Sequence, residues 1–223
     1  MTQLVIFDWD GTLCDSLQRI AHCMHLAAED VGIEPPEPEA VREIVGLGLL
    51  EAFRLLFPDQ DESLLPRLKE SYSQHFVVQD NTPSPFYEGV DEVLADLKSR
   101  GFLLAVATGK SRRGLNRVLQ VRNMQDFFDS SRCADETRSK PHPLMLEELL
   151  SEFSLHPEQA IMVGDTEYDM EMAEQAGMPR IAVNYGAHHV DRLRSYQPLH
   201  CADDFFQVGE VILNHAATAL VKV

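Results

Sequence analysis

The chain has 223 residues, 44% of them hydrophobic, which is enough for one core domain with a modest insertion and excludes wholesale disorder. Its 36 acidic residues against 19 basic ones give a formal charge of -17, a surface that repels nucleic acid and anionic lipid and makes any phosphate site depend on local positive charge or a metal. The four cysteines, Cys14, Cys23, Cys133 and Cys201, include no Cys-x-x-Cys pair, so zinc and dithiol chemistry lack their usual spacing and free, reduced thiols are expected.

In chain order, Leu4 to Phe7 is the first short apolar run, and it closes on Asp8-Trp9-Asp10-Gly11-Thr12. No basic leader precedes it and no apolar stretch approaches a membrane span, so a soluble cytoplasmic protein without membrane partners is expected. Asp15-Ser16 offers a cap for a helix that runs to Val31 and stops at Gly32. Pro35, Pro36 and Pro38 mark a loop, and Val41 to Val45, Leu49 to Phe57 and Leu64 to Phe76 read as helical. Nothing between Ser16 and Asn81 reads as a strand, and Asn81-Thr82-Pro83-Ser84-Pro85 is a turn-rich linker.

From about residue 87 strands and helices alternate. Val90, Val93, Leu94 and Leu97 share a helix face that ends at Gly101, and Leu103 to Ala107 is the second strong strand. A helix follows on Leu115, Val118 and Leu119, then a weaker strand at Asp129 to Cys133, then a helix after Pro143 on Met145, Leu146, Leu149, Leu150 and Phe153. Ala160 to Val163 and Arg180 to Val183 are further strands around a helix on Met170, Ala173 and Ala176, and Leu199 to Ala202 is a last weak one. Nearly all-apolar strands alternating with helices predict an α/β, doubly wound parallel sheet. Residues 1–15 and 82–223 form this core, and residues 16–81 are a helical insertion after the first strand.

The polar residues that close these strands carry the chemistry. Asp8 and Asp10 are two apart, so both can face one ligand at the carboxyl edge of the sheet, while Gly11 turns the chain and Thr12 adds a hydroxyl. Thr108-Gly109-Lys110 offers a hydroxyl and backbone N–H groups suited to a phosphate oxygen. Lys140, between Ser139 and Pro141 before a helix, reads in isolation as a solvated surface lysine, but held by its flanking prolines it could offset negative charge at a phosphoryl group. Asp165 and Asp169 are four apart near a helix start, where they serve either the helix dipole or a metal and its supporting shell; hard oxygens with no His or Cys cluster favour magnesium over zinc. Together these groups meet the needs of phosphoryl transfer, in-line positioning and charge neutralisation.

The four ordered motifs, Asp8-Trp9-Asp10-Gly11-Thr12, Thr108, Lys140 and Gly164-Asp165 with Asp169, together with the insertion after the first, resemble the haloacid dehalogenase superfamily and its phosphoglycolate-phosphatase-like branch over nearly the whole chain. The resemblance implies a Rossmann-like core with a helical cap and a phosphatase acting on a small phosphorylated metabolite. It implies Asp8 as nucleophile forming an aspartyl-phosphate, and Asp10 as general acid and base. Asp8, Thr108, Gly109 and Lys140 would hold the phosphoryl group. Asp8, the backbone carbonyl of Asp10 and Asp165 would bind Mg2+, with Thr12 and Asp169 in support. An acidic Asp10 sets the chain apart from the dehalogenases and phosphonoacetaldehyde hydrolases, which resemble it elsewhere.

The alternatives are a phosphomutase of the same superfamily, which must keep water from the phosphoenzyme, and a phospho-accepting signalling receiver, whose acidic pair and length differ. A monomer or small homo-oligomer is expected. The Gly46-Leu47-Gly48 turn is a candidate to face the site, as are Arg112 and Arg113 for a substrate anion. Arg19, Arg42 and Arg54 are expected to be solvated or paired with acids, and the adjacent His188 and His189 to lie on the surface.

Overall fold

The computed structural model describes residues 2–77 and 84–218. Six parallel strands form one sheet in the order β3-β2-β1-β4-β5-β6. They are β1 (Leu4–Phe7), β2 (Leu103–Thr108), β3 (Ser130–Cys133), β4 (Ala160–Gly164), β5 (Arg180–Val183) and β6 (Cys201–Ala202). Both faces of β1 are buried because its side chains alternate between two cores. Val5 and Phe7 pack with helix α5 (Val90–Ser99), α6 (Arg112–Val121) and α10 (Phe205–Thr218) on one side. Leu4 and Ile6 pack with α7 (Leu144–Phe153) and α8 (Glu167–Gln175) on the other. This double covering is why the strands read as continuous apolar runs.

Register brings the strand ends level. Phe7 pairs with Val106 of β2 and with Val163 of β4, so the residues that follow these strands emerge side by side. The strand order reverses beside β1, and in an open parallel sheet the crevice at that switch point is where ligands bind.

Between β1 and β2 the chain inserts α1 (Leu17–Val31), α2 (Pro38–Arg42), α3 (Leu49–Leu56) and α4 (Leu65–Val77). Their core is separate from the two sheet cores and centres on Leu17, Ile20, Met24, Val41, Phe53 and Leu68. Departure and return are tied together, since Asp15 N–H donates to Pro85 O at 2.9 Å and Tyr87 N–H to Leu13 O at 3.1 Å. The linker expected at Asn81 to Pro83, and with it the far boundary of the insertion, lies outside the described residues. The short helix expected at Val41 to Val45 instead starts at Pro38, whose fixed φ suits a first helical position. None of the four cysteines is in a disulfide among the described residues, and burial pushes the Cys14 thiol up to about 11, so it stays protonated and unreactive. Among the described residues no helix is long and apolar enough to cross a membrane.

Candidate active site

Strand alternation continues past β1 and sorts its acidic run. Trp9 is fully buried among the sheet's side chains, with ring centroids 5.6 Å from Phe86 and 6.2 Å from Phe128. Asp8 and Asp10 line the opposite side, where a cavity of about 230 Å3 opens between the sheet edge and the inserted helices. Asp8 is buried with its Oδ2 lacking any hydrogen-bond partner. Gly11 then turns the chain at φ +83°, and a Cβ there would fall 2.2 Å from Asp165 Oδ2. Only glycine allows both that dihedral and that approach.

Three carboxylates converge on Asp8. Oxygens of Asp8, Asp165 and Asp169 lie within 4.8 Å of one another, all buried. Asp165 precedes α8 rather than lying on it, and its two oxygens are oriented by Thr12 Oγ1 at 2.8 Å and Ala187 N–H at 2.7 Å. Asp169 closes a capping box with Thr166: its Oδ2 accepts from Thr166 N–H at 3.1 Å and Thr166 Oγ1 at 2.7 Å, which leaves Oδ1 for the cluster. Lys140 Nζ bridges Asp8 Oδ1 at 2.6 Å and Asp169 Oδ1 at 2.7 Å, with its side chain wholly buried. Asp10's carboxylate stands outside this cluster. Its Oδ2 pairs with Lys110 Nζ at 2.8 Å and its Oδ1 accepts from Ser16 Oγ at 2.6 Å.

The electrostatics follow from burial. Three acids against one ammonium leave two negative charges uncompensated when all are ionised. Burial, only partly offset by the Lys140 ammonium, raises the Asp8 carboxyl well above the usual range. Burial, then the Asp169 charge, pushes Asp165 up to about 7. Burial pulls the Lys140 ammonium down, but the Asp169 and Asp8 charges outweigh it and hold the lysine protonated. A buried cluster of hard oxygens with a partnerless Oδ2 and a deficit of two charges suits a divalent cation of the magnesium type.

Thr108 ends β2 fully buried, and its Oγ1 accepts from Lys110 N–H at 3.2 Å. The Gly46-Leu47-Gly48 turn closes over the next residue, Gly109, and Gly48 N–H donates to Ser139 Oγ at 2.7 Å. A Cβ on Gly109 would lie 2.4 Å from Leu47 O and 2.6 Å from Gly46 O. The Gly109→Ala substitution is therefore expected to push this turn off the site. It should lower kcat/KM on the order of 10^2-fold while leaving Tm nearly unchanged, because the displaced turn rather than a core is disturbed. Steady-state kinetics and a thermal melt check this; an unchanged kcat/KM would show that the turn need not close.

Residues 5–183 match the model of the haloacid dehalogenase-like hydrolase family. The chain belongs to the haloacid dehalogenase-like hydrolases. Over all of its length it is 36% identical to "Probable phosphatase IndB" of Dickeya dadantii, covering 96% of that protein. It is 29% identical to the phosphoglycolate phosphatase of Vibrio vulnificus over 95% of this chain and 96% of that one. The crystal structure of a predicted phosphoglycolate phosphatase from Haemophilus somnus superposes with a TM-score of 0.86 at 25% identity, over 95% of this chain and 98% of the other. The chain is a phosphatase of this family.

Several of the phosphatase's residues sit where the sequence did not suggest. Ser16 begins α1 but makes no side-chain cap; its hydroxyl goes to Asp10. Lys110 was read only as part of a phosphate loop, yet it holds Asp10 and lies 4.7 Å from the Phe76 ring centroid of α4. Its place two residues after Thr108 was the available signal. Arg112 is taken up by Glu136 at 2.7 Å and Ser131, so it is not poised toward a substrate anion. His188 is buried rather than on the surface, with Nδ1 accepting from Glu167 N–H at 3.1 Å, whereas His189 is exposed. Arg54 pairs with Glu62 as expected, but Arg19 and Arg42 donate to main-chain oxygens, of Phe76 and Gly186.

Proposed function

We propose that this phosphatase is a magnesium-dependent phosphomonoesterase that works through an aspartyl-phosphate on Asp8. The observation that carries the reading is the buried Asp8, with one oxygen on Lys140, the other partnerless, and the substrate cavity beside it. Asp8 attacks phosphorus in line as the bond to the leaving oxygen breaks, and Asp10 protonates that oxygen. Asp10, fixed by Ser16 and Lys110, then takes a proton from the water that hydrolyses the acyl phosphate. Lys140, Thr108 and the Gly109 N–H face the negative charge on the transferring phosphoryl oxygens. Asp8, Asp165 and the main-chain carbonyl of Asp10 would hold the magnesium ion, with Thr12 and Asp169 in support. When bound, the ion neutralises charge on the carboxylates and on the phosphoryl group. Residues 16–81 act as a cap on the core formed by 1–15 and 82–223, and closing them keeps bulk water out.

A panel of phosphate monoesters assayed with magnesium tests the reading. Expected are steady release of free phosphate, rather than an isomerised sugar phosphate, and a transient phosphoprotein located at Asp8 by peptide mass mapping. Phosphate release with no label on Asp8 would overturn the covalent route.

Metal and pH are linked with a definite sign. In the metal-free protein Asp165 titrates at about 7, above its usual 3.8. A carboxyl raised in the folded state favours folding at low pH, and that contribution is lost as pH rises through 7. From pH 6 to pH 8 the metal-free protein is expected to lose on the order of 1 kcal/mol, about 3 °C in Tm. Added magnesium displaces the proton, so its stabilisation should be larger at pH 8 than at pH 6 by a similar amount. Melting curves with magnesium and with chelator at both pH values check this; a smaller magnesium effect at pH 8 contradicts it.

A further inference from the structure

The cavity beside Asp8 and Asp10 is mostly apolar beyond the reacting end. Its walls include Met24 of α1, Ile44, Leu47 of the closing turn, and Tyr72 and Phe76 of α4. Tyr72 and Phe76 are stacked, with ring centroids 5.5 Å apart. These side chains offer surface to an apolar body, and none of them carries a charge to pair with a second one.

The charged groups on the cavity lead to the same substrate. Lys69 and Lys110 are the cations that reach it among the described residues. Lys110 is committed to Asp10 at 2.8 Å, and Lys69 stands exposed at the rim. Glu51 and Asp135 bring further negative charge. No arginine lines the cavity among the described residues, so no guanidinium fork is present to receive a carboxylate. Arg19 instead donates to Phe76 O at 2.6 Å, and Arg42 to Gly186 O at 2.6 Å. A carboxylate on the leaving group would be stripped of water against apolar walls, with acids nearby and no forked partner.

We infer that the ester this site is built for carries a neutral leaving group with an apolar body, and not the carboxylate-bearing group of phosphoglycolate. The inference rests on the phosphomonoesterase reading above and names its substrate class. Chemistry at phosphorus is the same for every alkyl ester, so discrimination comes from what the leaving group meets in the cavity.

The test compares kcat/KM of the magnesium-loaded enzyme for benzyl phosphate, phosphoglycolate and glucose 6-phosphate. Benzyl phosphate is expected to exceed each of the others by at least about tenfold, the discrimination that an apolar pocket supplies. Phosphoglycolate or the sugar phosphate equalling or exceeding it would overturn the inference and leave the phosphomonoesterase reading intact. Hydrolysis of none of the three would overturn both. A Leu47→Arg variant adds an independent readout, because this half-buried position lies on a turn and the new guanidinium would face the leaving group. The ratio of kcat/KM for phosphoglycolate to that for benzyl phosphate should rise at least about tenfold in this variant. An unchanged ratio in a folded variant, verified by its melting curve, would count against the inference.

Discussion

Replacing Asp8 by Asn is expected to lower turnover on the order of 10^4-fold or more without lowering the Tm of the metal-free protein. The first half follows from chemistry. An amide cannot form the acyl phosphate, and removing a covalent nucleophile leaves only what binding and charge stabilisation provide. The second half follows from burial. Asp8 lies inside the sheet edge, and its carboxyl is raised well above the ordinary range by desolvation that Lys140 only partly offsets. Asn keeps the shape and removes one of three clustered acids, while Lys140 retains Asp169 at 2.7 Å. The Tm without metal should therefore hold or rise, by about 2–4 °C for each kcal/mol gained. The Tm increase on adding magnesium should shrink, because one of the candidate oxygens has lost its charge. Phosphate-release assays and paired melts with magnesium and with chelator report all three quantities. Retention of more than about a hundredth of wild-type activity would remove Asp8 from the role of nucleophile, since the acyl phosphate is what its carboxylate supplies. A Tm several degrees lower would mean that Asp8 is a structural anchor and not a strained functional group.

Much of this was legible in the sequence because it depends on local rules. Leu4 to Phe7 announces itself as a buried strand, since both of its faces meet helices and every residue must be apolar. Asp8, Thr108 and Asp165 could be picked out because each follows such a run, and parallel register puts the ends of β1, β2 and β4 at one level. What could not be read depends on which of several available partners a polar group takes once the chain is folded. Ser16 has the sequence signature of a helix cap, but Asp10 competes for its hydroxyl and wins. Asp165 and Asp169 are four apart, a spacing that shares a helix face only if the helix has begun, whereas the helix starts at Glu167 and the two carboxylates meet through a capping box and a loop. Adjacent histidines suggested a surface pair, yet the turn after β5 buries His188 against Glu167 and leaves only His189 outside. Lys110 reads in sequence as part of a phosphate loop, and its pairing with Asp10 and its approach to Phe76 depend on how α4 lies over the sheet edge.

Lys140 carries the largest expected effect on stability. Its ammonium is the one cation within hydrogen-bonding range of the three-acid cluster among the described residues, at 2.6 Å from Asp8 and 2.7 Å from Asp169. Lys140→Met retains the length of the side chain and removes the charge, leaving three buried carboxylates without a counterion. Deleting one partner of a buried ion pair costs about 3–5 kcal/mol, hence roughly 10 °C in a chain of this size. The loss has a pH signature. Without the ammonium the Asp8 and Asp165 carboxyls are raised further, and a raised carboxyl contributes stability that is fully present below its unfolded pKa and is lost as pH rises through its folded one. The deficit should therefore be small at pH 5, where the cluster takes up protons, and grow toward pH 8. Magnesium should recover part of it, because a divalent ion supplies the missing charge, whereas Lys140→Arg should not restore wild-type behaviour. A planar guanidinium is larger than the ammonium that now fits between two carboxylates with no exposed surface. Activity should fall on the order of 10^3-fold in the Met variant even at saturating magnesium, because the phosphoryl oxygens lose a positive charge fixed within a dry site. Melts from pH 5 to pH 8 with and without magnesium, set beside kcat, separate the two roles. A destabilisation independent of pH would assign Lys140 to packing alone, and full activity with restored stability in magnesium would remove it from the phosphoryl site.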